Sequence, residues 1–165
     1  MSNPSQTILH IGYQRTATTW FQKHLYPQIS DITYLAHDDL PELLFGNPDE
    51  KELAYLRDWF EKINKRIVIS DENLLGTIGN KSLYSNAAKF RKIFGQCHVV
   101  IFIRNQIEKY SSNYGYYIKT GGSLTFRKFL FLKDSEEIYG GQKHKYDILI
   151  DTYNKEFGAA NISIF

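Results

Sequence analysis

The sequence predicts an α/β fold, a three-layer sandwich in which helices cover both faces of a central parallel sheet. Three observations lead there. Short apolar runs at 8–11, 66–71 and 98–103 have the near-continuous hydrophobicity of strands buried on both faces. Segments with helical periodicity separate these runs, as the crossovers of a parallel sheet require. Each run also ends on a residue suited to ligand chemistry, Gly12, Asp71 or Arg104, at the strand end where open α/β sheets bind their ligands.

Ile8, Leu9 and Ile11 supply the first strand, and Gly12 lets the backbone turn where it ends. A helix is expected from about residue 18 to residue 26, with Pro27 blocking its continuation and Phe21 and Leu25 marking its buried face. The start of that helix offers unpaired amides and the positive end of its dipole, and the hydroxyls of Thr16, Thr18 and Thr19 can cap it or donate to an oxyanion. An anion fits there. Against the Walker pattern G-x-x-x-x-G-K-S/T, Gly12 and Thr19 take the first and last positions, while Ala17 replaces the second glycine and Thr18 the lysine. The cation of this loop is Arg15, whose guanidinium fork can reach a phosphate oxygen.

Residues 31–36 read as a short extended piece. Residues 38–49 are turn-rich, with Pro41, Gly46, Asn47 and Pro48, and are expected to form an exposed excursion of the kind that frames an acceptor. Helical periodicity resumes over 50–64 through Leu53, Leu56, Trp59, Phe60 and Ile63. The second buried strand, 66–71, runs directly into Glu72, so two acids stand at a strand's carboxyl end. They can supply a catalytic base, hold magnesium as a Walker B segment does, or simply cap the next turn or pair with Lys81.

A helix over 82–94 is closed by Gly95, and the third buried strand, 98–103, ends on Arg104. Residues 106–119 can be helical, and Ser112 lies eight positions after Arg104, roughly two helical turns on. That pair can clamp one phosphate; alternatively, Arg104 pairs with Glu108 one turn along. Tyr110, Tyr114 and Tyr117 recur at helical spacing and fit a core stripe better than an exposed aromatic platform. A short helix over 124–132, a loop at Tyr139-Gly140-Gly141, a helix over 146–157 closed by Gly158 and a strand over 161–165 complete the chain.

With 165 residues, 42% of them hydrophobic, a single domain spanning 1–165 with a substantial core is expected. A formal charge of +2 without any basic run disfavours nucleic acid as a partner. The single cysteine, Cys97, excludes an internal disulfide and a cysteine-built metal site, and it reads as buried and inert. The first strand begins within a few residues of Met1, which leaves no space for a signal peptide or membrane span and implies a cytoplasmic location.

The stretch Tyr13-Gln14-Arg15-Thr16-Ala17-Thr18-Thr19-Trp20 resembles the 5′-phosphosulfate loop of sulfotransferases that use 3′-phosphoadenosine 5′-phosphosulfate (PAPS), written Y-P-K-S/T-G-S/T-T-W. Gln14 stands for proline, Arg15 for the family's catalytic lysine and Ala17 for glycine. Arginine keeps the charge but is no practical proton donor, so the role implied for Arg15 is electrostatic. Ile-Phe-Ile-Arg104 followed by Ser112 resembles the family's 3′-phosphate motif. The resemblance implies the P-loop-like sulfotransferase fold and an enzyme that moves a sulfuryl group from PAPS to a hydroxyl or amine of a small-molecule or glycan acceptor, releasing 3′-phosphoadenosine 5′-phosphate (PAP). It implies that Gln14 to Trp20, Arg104 and Ser112 bind the nucleotide, with Trp20 either against the adenine or in the core. Several members place a base at the end of the strand between the two motifs, where Glu72 is the first candidate, ahead of Asp71 and of His10. The family's domain continues past the last strand with further helices and a basic 3′-phosphate contact, so this chain corresponds to only part of it. Two other readings stand beside this one: a P-loop kinase or ATPase, and a non-catalytic fragment that binds nucleotide or a protein partner.

Overall fold

The computed structural model describes residues 7–13, 16–75, 82–130 and 146–165. Five strands, β1 (Thr7–Gly12), β2 (Ile32–Leu35), β3 (Arg66–Ser70), β4 (His98–Phe102) and β5 (Ile162–Ile164), form one sheet in the order β2-β3-β1-β4-β5. All four pairings are parallel, and the register sets Leu9 beside Ile69 on one flank and Val99 on the other. The helices are α1 (Thr18–Trp20), α2 (Glu50–Glu61), α3 (Ser82–Phe94), α4 (Gln106–Lys119), α5 (Phe126–Leu130) and α6 (Tyr146–Phe157). The expected α/β architecture with a central parallel sheet is therefore present. None of the described helices is long and apolar enough to cross a membrane.

Side chains alternate across a strand, and here the alternation separates two kinds of packing. Leu9, Ile11, Ile67, Ile69, Val99 and Ile101 join one buried cluster with Leu53, Leu56 and Phe60 of α2, Ala87, Phe90 and Ile93 of α3, and Leu149, Tyr153 and Phe157 of α6. Removing each such aliphatic side chain from water contributes about 1.5–3 kcal/mol, so this face supplies most of the driving force for folding. The in-between positions are of another character. His10 and Ser70 lie side by side in the register, and the His10 ring sits edge-on to Phe21, Tyr26 and Phe102.

Three local departures have physical causes. The segment after β1 starts as α1 but widens into a π-helical turn at Phe21–Leu25 and tightens into a 3₁₀ turn at Tyr26–Gln28, which contains Pro27. Phe21 is half-buried while Leu25, expected beside it in a continuous α-helix, is exposed. The excursion at 38–49 is less exposed than its composition suggests. Leu40 and Leu44 enter the core, and the buried Lys89 ammonium on α3 donates to the carbonyls of Leu44 and Gly46 at 2.6 and 3.0 Å. Finally, Gly12 has no left-handed backbone, so it is not there for the turn; a Cβ at this position would stand 3.1 Å from the Phe102 carbonyl oxygen and 3.3 Å from Thr16 Oγ1. A larger residue here would have to push the loop after β1 away from β4 by a few tenths of an ångström.

Candidate functional site

Strand order places the site. The chain leaves β1 toward β3 and β2 but leaves β4 toward β5, so the loops after these adjacent strands diverge and open a crevice at their carboxyl ends. The two stretches singled out as phosphate motifs follow β1 and β4, and the acids Asp71 and Glu72 follow β3 on the other flank of β1.

Within the loop after β1, Gln14 and Arg15 lie outside the described residues. Thr16 is buried, and its hydroxyl donates to the Tyr13 carbonyl at 2.7 Å, which folds the loop back on itself. Its oxygen also lies 3.5 Å from Thr18 Oγ1. Ala17 occupies the cap position of α1 with φ 67°, ψ 8°, a left-handed conformation in which its side chain cannot cap the helix. Thr18 is buried, whereas Thr19 is exposed and Trp20 is 55% exposed. Trp20 touches Phe21 and His24 edge-on or tilted rather than entering the main core, so one indole face is open to a flat ligand.

On the β4 side, Arg104 is exposed and its Nε lies 3.2 Å from Glu108 Oε2, one helical turn into α4. An exposed pair of this kind is worth at most about 1 kcal/mol and yields readily to a phosphate, which carries more charge. Asn105 caps α4 by accepting from the amides of Ile107 and Glu108, and Ser112 follows on the half-buried side of the helix. Arg104 is further fixed through its carbonyl, which accepts from Tyr146 Oη at 2.9 Å.

At the end of β3, Asp71 is buried. Its Oδ1 accepts from the Asn73 amide at 2.7 Å, so the capping alternative is realised, but its Oδ2 lies 2.5 Å from His37 Nδ1. Glu72 opens the short 3₁₀ turn Glu72–Leu75 and is half-buried. His10, the remaining base candidate, is fully buried. Its Nδ1 lies 2.8 Å from Tyr26 Oη and 2.9 Å from Ser70 Oγ, and burial brings its pKa down to about 4. No acceptor can reach it there. Cys97 is likewise buried, and burial pushes its thiol up to about 12.

Two residues escaped the sequence reading. Lys109 of α4 is buried, with Nζ 4.3 Å from the centroid of the Tyr13 ring, and Tyr13 is the residue that begins the loop after β1. Burial lowers its pKa to about 7, the charge of Glu72 opposing that shift and Arg104 adding to it. The ammonium therefore stands within electrostatic reach of all three strand ends. Its signal was present: Lys109, Asn113 and Tyr117 are four residues apart, and all three are buried. His37 follows β2, and the rule that directed attention to the ends of β1, β3 and β4 applied to it as well. Tyr114 and Tyr117, by contrast, pack on Phe129 of α5, the core stripe expected of them.

The fold has a counterpart among solved structures. The chain superposes on a sulfotransferase from Alicyclobacillus acidocaldarius with a TM-score of 0.68, covering 98% of this chain and 72% of that one, at 18% sequence identity. The fold is sulfotransferase-like. No protein-family model matches the chain, and no curated protein sequence matches it. In that fold the segments after β1 and β4 leave adjacent strand ends, and Asp71 and Glu72 follow β3 on the other flank of β1.

Proposed function

We propose that the protein is a PAPS-dependent sulfotransferase acting on a hydroxyl or amine of a small-molecule or glycan acceptor. The observation that carries this reading is the convergence of two phosphate motifs at adjacent strand ends, with acids on the next strand. The residues present suit the nucleotide: Gly12 keeps the end of β1 in close contact with the Phe102 carbonyl and Thr16, where a Cβ would crowd both at 3.1 and 3.3 Å. Trp20 offers an open aromatic face for adenine.

When bound, PAPS supplies the sulfuryl group and leaves as PAP. The chain's own residues divide the remaining work. Arg15 and the amides of residues 16–19 face the 5′ side, where negative charge moves onto the leaving phosphate, and a fixed cation there stabilises the transition state more than the ground state. Gln14, Ala17 and the Thr16, Thr18 and Thr19 segment shape that cradle. Arg104 and Ser112 hold the 3′-phosphate, with Arg104 exchanging Glu108 for it. Lys109 adds a buried basic group against Tyr13, where the loop begins. Removal of the acceptor's proton needs a base, and of the two acids after β3 Glu72 is the first candidate and Asp71 the second.

A thermal-shift comparison of PAP with magnesium ATP tests the reading. The larger stabilisation is expected with PAP. A preference for magnesium ATP would replace it with the kinase or ATPase alternative, and no response to either nucleotide would favour a non-catalytic domain.

A further inference from the structure

The pairing of His37 with Asp71 identifies a catalytic group that the two strand-end acids by themselves do not. We infer that the acceptor's proton is taken by His37 Nε2, with the buried Asp71 carboxylate as the positioning residue that holds the imidazole; this rests on the sulfotransferase reading above.

The geometry is specific. Asp71 is 4% exposed while the His37 side chain is 57% exposed, so one end of the pair is locked in the protein and the other faces solvent. Oδ1 of Asp71 is committed to the Asn73 amide, which leaves Oδ2 for His37 Nδ1 at 2.5 Å. The imidazole also rests on the Phe45 ring, centroids 4.6 Å apart, so its plane is set from a second direction. An imidazole that donates its Nδ1 proton to a carboxylate presents Nε2 as a bare acceptor, and the carboxylate stabilises the imidazolium formed afterwards. Buried Asp71 lacks such access. The register brings the group to the right edge: Leu35 pairs with Ile69 and His10 with Ser70, so the segments carrying His37 and Asp71 and the loop after β1 all leave the same edge of the sheet, from the adjacent strands β2, β3 and β1. Two strand spacings, about 10 Å, separate the outer members, room for an acceptor between base and donor. Glu72 interacts electrostatically with Lys109. In the step, the acceptor O–H (or N–H) bond breaks and its proton passes to Nε2. The acceptor's electron pair forms the new bond to sulfur, and the bond from sulfur to the phosphate oxygen breaks with its electrons retained by departing PAP.

The test measures PAP affinity, transfer from PAPS to a panel of phenols, sugars and amines, and the ¹⁵N signals of the His37 ring. His37→Ala should keep wild-type PAP affinity, lose roughly 10²- to 10⁴-fold in transfer rate, and recover part of it when free imidazole is added. Loss in Glu72→Gln should not be restored by imidazole. In the wild type the ring should carry its proton on Nδ1, and Asp71→Asn should redistribute it toward Nε2. Transfer unchanged in His37→Ala, loss without imidazole rescue, or a wild-type Nε2–H tautomer would overturn the assignment of the base while leaving the sulfotransferase reading intact. Failure of the wild-type protein to bind PAP, or to transfer to any acceptor, would overturn both.

Discussion

Two lysines are buried among the described residues, and their surroundings differ in a way that burial alone conceals. Lys89, on the side of α3, spends its ammonium on the carbonyls of Leu44 and Gly46 and ties the segment after β2 to the core. Lys109, on α4, lies over the Tyr13 ring and within the electrostatic reach of Glu72 and Arg104, at the carboxyl ends of the strands. The first partner set consists of backbone groups that need a donor in the folded chain. The second consists of residues that the proposed chemistry uses. A buried charge therefore reads as structural or functional according to what it faces, and the same holds for the two sides of β1: Leu9 and Ile11 pack, whereas His10 and Gly12 border the loop.

The sharpest way to break that division is to disable the site and look for damage in the core. Arg15→Ala removes the one basic side chain of the loop, and the expected loss is roughly 10²- to 10³-fold in transfer rate with an unchanged melting temperature. Arg15→Lys should retain activity. Transfer that survives Arg15→Ala intact would end the phosphosulfate assignment. A smaller effect is expected at the second motif. Arg104→Ala should weaken PAP binding roughly 10- to 100-fold, the value of a charged hydrogen bond, and leave the analogue lacking the 3′-phosphate nearly unaffected. Equal losses for both nucleotides would make Arg104 a structural residue, its contacts to Glu108 and Tyr146 serving the fold.

The lysines themselves give the next contrast. Lys89→Met should destabilise by about 1–3 kcal/mol, because two carbonyls lose their donor, without changing PAP affinity. Lys109→Met should reverse the pattern, weakening PAP binding at little cost in stability; if both variants behave alike, the distinction between them fails. Their titration adds a signed test. Burial lowers Lys89 to about 8 and Lys109 to about 7, both from an ordinary value of 10.5. Between those folded values and 10.5 the unfolded chain binds protons that the folded chain has released, so stability rises with pH over this window and is lowest below it. Chemical denaturation from pH 7 to 10 should show the rise in wild type; Lys109→Met should lose it between about pH 7 and 8 and rise less steeply above, whereas Lys89→Met should keep the onset near pH 7 and rise less steeply only above about pH 8.

How far the sequence reached follows the same division. Strands and helices were legible because their apolar periods are long and their stops are local: α3, α4 and α6 begin and end where the periodicity and Gly95 or Gly158 indicate. The motifs after β1 and β4 were legible because cation and hydroxyl lie within one continuous segment. The His37–Asp71 pair was not, since it joins residues 34 positions apart whose proximity is created only by the pairing of β2 with β3. Lys109 was hidden for another reason, as one lysine among the hydrophilic residues of an amphipathic helix gives no sign by itself that it points inward. Leu25 failed because the π turn has no signature in hydrophobic spacing.

The smallest expected effect lies at Ala17. Among the described residues it is the only non-glycine with positive φ, while Gly95, Gly121 and Gly158 occupy the other such positions. A left-handed alanine costs roughly 1–2 kcal/mol, which Ala17→Gly removes. Glycine in turn gives back roughly 0.5–1 kcal/mol through the greater freedom of the unfolded chain. The net expectation is a stabilisation of about 0–1 kcal/mol, seen as a slight rise in melting temperature. Because the substitution touches neither a cation nor a hydroxyl, PAP affinity should change by less than about threefold, a difference below 1 kcal/mol. The strain would then belong to the loop's geometry rather than to its binding energy. A fall in melting temperature for Ala17→Gly would show that the left-handed cap is not strained in solution, and the loop's shape would need another cause.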